Sequence, residues 1–141
     1  VRCRCGDGQA ARRGWIGQFH STSTYKNIYT SIMKPVEFRG TALDDLRGFP
    51  QSSMRDAGYQ LDRVQQGLTP DDAKALPSVG AGVVELRIWD EAGTFRVMYI
   101  AKLEEAIYVL HCFQKKTQKT AARDVELARR RLKELLKEIA R

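Results

Sequence analysis

The chain has 141 residues, a hydrophobic fraction of 43% and a net charge of +7, which is the length of one domain with enough apolar side chains for an ordinary core. No apolar run approaches the roughly eighteen residues of a membrane-spanning helix, no signal peptide stands out, and three cysteines (Cys3, Cys5, Cys112) make no disulfide framework, so a reducing cytoplasm is expected. The charge is uneven: residues 1–32 carry +4, residues 33–101 carry −2 and residues 102–141 carry +5, a distribution that suits either a polyanion-binding surface or a solvated lysine-rich helix.

Residues 1–32 read as a poorly ordered basic extension, because they hold no sustained period and are rich in Gly, Ser, Thr and Arg. An organelle transit peptide has a similar composition. Met33 begins the first patterned segment, so the domain is expected over 33–141, with Met33 as its natural start. Cys3, Cys5 and His20 fall short of a closed four-ligand metal site, and no metal is expected there.

From Met33 the pattern sharpens. Val36 and Phe38 alternate with polar residues in a short strand. Thr41 is placed to cap a short helix carrying Ala42, Leu43 and Leu46, which ends near Gly48. Pro50 can start a second helix, with Met54, Ala57, Tyr59, Leu61 and Val64 at mostly helical spacing. LTPDDAKALPSVGAG reads as a loop, marked by its prolines and glycines. Three strands follow, VVELRIW at 83–89, TFRVMYIA at 94–101 and AIYVLHCF at 106–113. Short turns containing DEAG and KLEE make them antiparallel hairpins. Thr120 can cap a long last helix whose apolar face is Val125, Leu127, Ala128, Leu132, Leu135, Leu136 and Ile139. The order β-α-α-β-β-β-α describes an α+β domain, with two helices on one face of a small antiparallel sheet and a C-terminal helix.

Period two assigns the strand faces. Glu85, Arg87 and Trp89 share one face; so do Arg96, Met98 and Ile100; Ile107, Val109, His111 and Phe113 are expected to share another. Arginine is costly to bury unpaired. Arg87 therefore either pairs with Glu85 or Glu91, and Arg96 with Asp90, or both line a cleft and hold phosphate. His111 is a structural strand residue or a proton carrier. Phe113 is rim or core, or a platform for an unpaired base. Lys115, Lys116 and Lys119 are a solvated linker or a grip on a nucleic-acid backbone. Cys112 behaves as a small buried hydrophobe.

These segments also carry a family likeness. ELRIWDEAGTFRVMYIA and YVLHCFQKKTQKTAARDVELARRRL contain E-L-R, F-R-V-x-Y, L-H-x-F-x-K-K-T-x-K-T and a helix of the A-x-x-R type. Over roughly residues 34–137 the chain resembles the HigB-type branch of the RelE/ParE toxin superfamily, toxins of type II toxin–antitoxin systems, many of them described as phage-derived. The resemblance implies a RelE-like fold and a ribosome-dependent endoribonuclease, an mRNA interferase that inhibits translation. It implies a cognate helix-turn-helix antitoxin and the ribosome with its mRNA as partners, and no membrane. By position Arg87, Arg96, His111 and Lys115 match strand residues and basic groups in or near the family's cleft, and Lys116 and Lys119 match the basic run along the RNA backbone. The roles expected for them are Arg87 and Arg96 on the phosphate, His111 as general acid or base and Lys115 for charge, with Phe113 stacking a base. Attack of a 2′-OH on its own phosphate calls for no metal or cofactor. Several relatives carry a tyrosine or histidine near the C-terminus, whereas this chain ends KELLKEIAR. Two other readings stand beside the nuclease: a non-enzymatic ParE-like toxin that binds gyrase, and a non-toxic nucleic-acid-binding module.

Overall fold

The computed structural model describes residues 33–140. The extension at 1–32, with Cys3, Cys5 and His20, lies outside the described residues. In chain order the elements are β1 (Val36–Phe38), α1 (Ala42–Arg47), α2 (Gln51–Gln65), β2 (Ala73–Ala75), β3 (Val83–Asp90), β4 (Gly93–Ile100), β5 (Ile107–Lys115) and α3 (Ala122–Ala140). The expected α+β class holds, and the fold is consistent with the RelE-like one.

The sheet has five strands in the order β1-β5-β4-β3-β2. It is mixed rather than purely antiparallel: β3, β4 and β5 form two hairpins, but β1 runs parallel to β5, with Val36 opposite Ile107. A strand of three residues gives no sequence signal for its partner. The stretch read as a loop holds the fifth strand, β2, which pairs antiparallel with β3. It is too short to show an alternating pattern, and it sits at an edge, where pairing with one neighbour suffices.

Each face of the sheet carries its own core. On one face Ala42 and Leu46 of α1 and Ala57 and Leu61 of α2 pack with Leu86, Ile88, Phe95, Val97, Tyr99, Ile107 and Val109. Cys112 is buried in this layer, as expected for an apolar thiol. On the other face Ala128, Leu132 and Leu135 of α3 pack with Val83, Met98, Ile100, Tyr108 and Leu110. Burying each of the large aliphatic side chains contributes on the order of 1.5–3 kcal/mol. The loop before β3 seals the α3 layer. Gly80 lies so close to Leu132 that a Cβ there would come within 2.4 Å of its Cδ2, and Arg129 donates to the Ser78 carbonyl.

Three local expectations are corrected. Thr41 precedes α1 but makes no side-chain cap bond; its hydroxyl donates to the Asp45 carboxylate instead. Thr120 does not cap α3: the helix begins at Ala122, and the Thr120 hydroxyl donates to Glu85. The expected apolar face of α3 is only partly covered, since Leu136 and Ile139 are exposed, and Tyr59 of α2 likewise points to solvent.

Candidate functional site

The pleat of the sheet gathers the polar side chains, and one irregularity decides which of them meet. In β4, Arg96 and Met98 point to the α3 side, and across β3 they face Arg87 and Glu85. Simple alternation along β5 would put His111 and Phe113 on the same side as Ile107 and Val109, away from this face. The β4–β5 ladder, however, shifts register between Met98 and Tyr99: Met98 pairs with His111, while Tyr99 pairs with Val109. Leu110 is the extra residue of a β-bulge, and it reverses the alternation for everything after it. The expected shared face of Ile107, Val109, His111 and Phe113 is therefore corrected. His111, Phe113 and Lys115 lie on the face of Arg87 and Arg96, and the cross-strand rows are Arg87–Arg96–Phe113 and Trp89–Thr94–Lys115.

Both arginines are paired, with partners other than those expected. Asp72, just before β2, accepts from Arg87 Nε at 3.0 Å through Oδ1 and from the Trp89 indole N–H at 2.6 Å through Oδ2. Arg87 Nη2 lies 2.9 Å from the same Oδ1. These hydrogen bonds, that of Trp89 foremost, hold the Asp72 carboxyl below its usual range against the opposing effect of burial. Arg96 is 5% exposed and Glu85 3%. The Arg96 Nε stands 3.6 Å from Glu85 Oε2, an ion pair too long for a hydrogen bond, and that Nε has no hydrogen-bond partner among the described residues. Burial lowers the arginine's proton affinity, and Glu85 opposes this. The guanidinium also lies 5.6 Å from the centroid of the Trp89 ring, at cation–π distance.

His111 is buried. Its Nε2 lies 2.8 Å from Asp124 Oδ1 in the first turn of α3, and its ring stacks on Phe113 with centroids 4.8 Å apart. An ionised carboxylate only accepts, so Nε2 carries the proton of this bond. Nδ1 is buried and has no partner among the described residues. Phe113 and Lys115 are partly exposed, and Lys116 and Lys119 are exposed in the segment leading to α3. None of the three lysines has a carboxylate at ion-pair distance among the described residues.

The structure thus brings Arg87, Arg96, His111, Phe113 and Lys115 onto one face, with Lys116 and Lys119 at its rim. Arg87, Phe113 and Lys115 are at the surface; Arg96 and His111 lie beneath it. Four further residues build the site: Asp72, Glu85, Trp89 and Asp124. Alternation already puts Glu85 and Trp89 beside Arg87, but Asp72 and Asp124 reach the face only through tertiary packing. Among the described residues no group of three or more His, Cys, Asp or Glu side chains is arranged to hold a metal ion, and no helix is long and apolar enough to cross a membrane.

Residues 44–133 match the family described as phage derived protein Gp49-like (DUF891), a span that runs from α1 into α3 and includes every residue of this face. No curated protein matches the chain.

Proposed function

The chain belongs to the phage-derived Gp49-like family, and from that premise we propose that it is the toxin of a type II toxin–antitoxin system, of the HigB type, acting as a ribosome-dependent mRNA endoribonuclease in the cytoplasm. One observation carries this reading. The β5 bulge puts Phe113 and Lys115 on the same face as Arg87 and Arg96, next to a lysine-rich segment without acidic partners among the described residues.

The chemistry asked of such a face is modest. The RNA 2′-oxygen forms a bond to the adjacent phosphorus while the bond to the 5′-oxygen breaks. The products are a 2′,3′-cyclic phosphate and a 5′-hydroxyl; one proton leaves the 2′-OH and one arrives at the departing oxygen. Arg87 and Lys115 are the surface cations placed to meet the phosphate and its extra negative charge in the transition state. Arg96, ion-paired with Glu85 beneath the surface, backs the face from below. Phe113 offers a ring for a base, and Lys116 and Lys119 follow the backbone. Proton transfer falls to His111, oriented by Asp124, once RNA displaces Phe113 from its ring. A helix-turn-helix antitoxin would silence the protein by covering this face.

One observation favours a second reading. Both arginines are already neutralised by carboxylates and His111 is covered, as suits a binding face without catalysis, the condition of a gyrase-binding toxin of the same fold. Primer extension on a reporter mRNA separates the two, with the chain induced in bacterial cells beside a His111→Ala/Lys115→Ala variant. The nuclease gives cuts inside translated codons that vanish in the variant. Growth arrest with intact mRNA selects the gyrase-type toxin. Full cleavage by His111→Ala alone would remove the histidine from the mechanism.

A further inference from the structure

Trp89 is the most solvent-exposed of the large hydrophobic side chains described, at 60%, yet it is held in place. Asp72 fixes its N–H edge at 2.6 Å, and Asp72 is itself anchored by Arg87. Arg96 approaches the ring to 5.6 Å from below the surface. An exposed tryptophan normally loses rotamer freedom when it binds something; here the fold has already restricted it. Its one hydrogen-bond donor is consumed by Asp72, so what it offers a ligand is the face of an aromatic ring. Across the sheet, Thr94 stands between Trp89 and Lys115. Two strand spacings, about 10 Å, separate them, within reach of a single nucleotide.

We propose that Trp89 is a preset stacking platform for one unpaired base of a single-stranded RNA, with Lys115 taking a phosphate of the same stretch of chain. The inference deepens the nuclease reading and rests on it for the choice of RNA. The indole has no free donor for a base edge, so the platform is tolerant of sequence: it holds any base, and purines best because their rings overlap more. Lysines on the same side of the sheet favour a polyanion over a protein segment as the occupant. Asp72 is a positioning residue, since it acts on the base only through the indole.

The test is a fluorescence titration of the full chain in a Trp15→Phe background, which makes Trp89 the sole tryptophan reporter. The probes are a short single-stranded oligoadenylate and an abasic ribose-phosphate oligomer of equal length. Stacking quenches Trp89 with the oligoadenylate and leaves it unquenched with the abasic oligomer. Followed by anisotropy of end-labelled RNA, Trp89→Ala weakens oligoadenylate binding on the order of tenfold to a hundredfold, while Trp89→Phe retains most of the affinity and abasic binding is the same for all three. Asp72→Ala gives an intermediate loss and a changed Trp89 emission before any RNA is added. Equal affinity of Trp89→Ala and the parent for oligoadenylate overturns the platform. So does RNA binding without quenching, or quenching only by an antitoxin, which would make Trp89 a protein contact. None of these readouts needs the ribosome or cleavage, so the platform can fail while codon-specific cleavage in cells stands, and the reverse.

Discussion

Arg131 donates from Nη1 to the carbonyl of Leu110 at 2.8 Å, and Leu110 is the residue that the β5 bulge inserts. The guanidinium also reaches the Thr41 hydroxyl at 3.1 Å. It fits because position 40 is glycine. A Cβ on Gly40 would lie 2.6 Å from Arg131 Nε, and its φ of +59° is one that side chains rarely adopt. Arg131→Ala is expected to cost about 1–3 kcal/mol by leaving the bulge carbonyl unpaired. Gly40→Ala costs at least 1 kcal/mol, roughly, in backbone strain, and more where Arg131 is present. Urea unfolding of both single variants and the double checks this: the glycine substitution should cost less in the Arg131→Ala background. Strict additivity would mean that the two do not share the space.

The Glu85–Arg96 pair is buried on both sides. Glu85→Leu strands a cation and is expected to destabilise the fold by about 3–5 kcal/mol. Glu85→Leu with Arg96→Met removes both charges and should return near the wild-type midpoint. Under the nuclease reading the double variant is folded and inactive, so thermal unfolding and reporter cleavage must be measured together.

Tyr99 lies in the α1/α2 core, and burial pushes its phenol up to about 12. In the unfolded chain a tyrosine ionises near 10. The stabilisation from keeping the phenol neutral is thus complete below about pH 10 and is lost between there and about 12, because the unfolded state sheds its proton first. Tyr99→Phe removes this part of the alkaline decline. Unfolding midpoints across that range, with phenolate absorbance as the second probe, should show a shallower slope for the variant.

Asp124→Ala leaves both ring nitrogens of His111 buried without partners and takes an acid from the first turn of α3. A loss of about 2 kcal/mol is expected, most of it from the stranded donor. His111→Phe combined with Asp124→Ala should restore much of it, since an apolar ring fills the space without an unmet bond. Reporter cleavage by the restored double variant would show that the pair serves the fold alone.

Much of this molecule can be read from its residues. Alternation in VVELRIW and TFRVMYIA places both arginines on one face, and the helical spacing of Ala128, Leu132 and Leu135 gives α3 its buried stripe. The bulge escapes such reading because YVLHCF is apolar at nearly every position, so a reversal of phase leaves no trace in its hydrophobicity. The partners of Arg87 and Arg96 escape for a related reason. Glu85, Glu91 and Asp90 are near in sequence, but Asp72 arrives just ahead of a strand too short to announce itself, and Glu85 meets Arg96 across the ladder rather than along its own strand. Thr120 has the chemistry of a helix cap, and a tertiary acceptor claims its hydroxyl.

The parallel pairing of β1 with β5 also sets an order of assembly. Val36 emerges from the ribosome early but can be paired only when Ile107 has been made and released. The hairpins of β3, β4 and β5 are local and can form without it, whereas the β1–β5 pairing must bring together segments far apart in the chain. Until then Val36 and the apolar sides of α1 and α2 have an incomplete surface to rest on. A nascent chain interrupted before β5 would therefore have neither a closed core nor the bulge that turns His111, Phe113 and Lys115 toward the arginines, so on the nuclease reading proposed above the chain would stay harmless until its own translation is nearly complete.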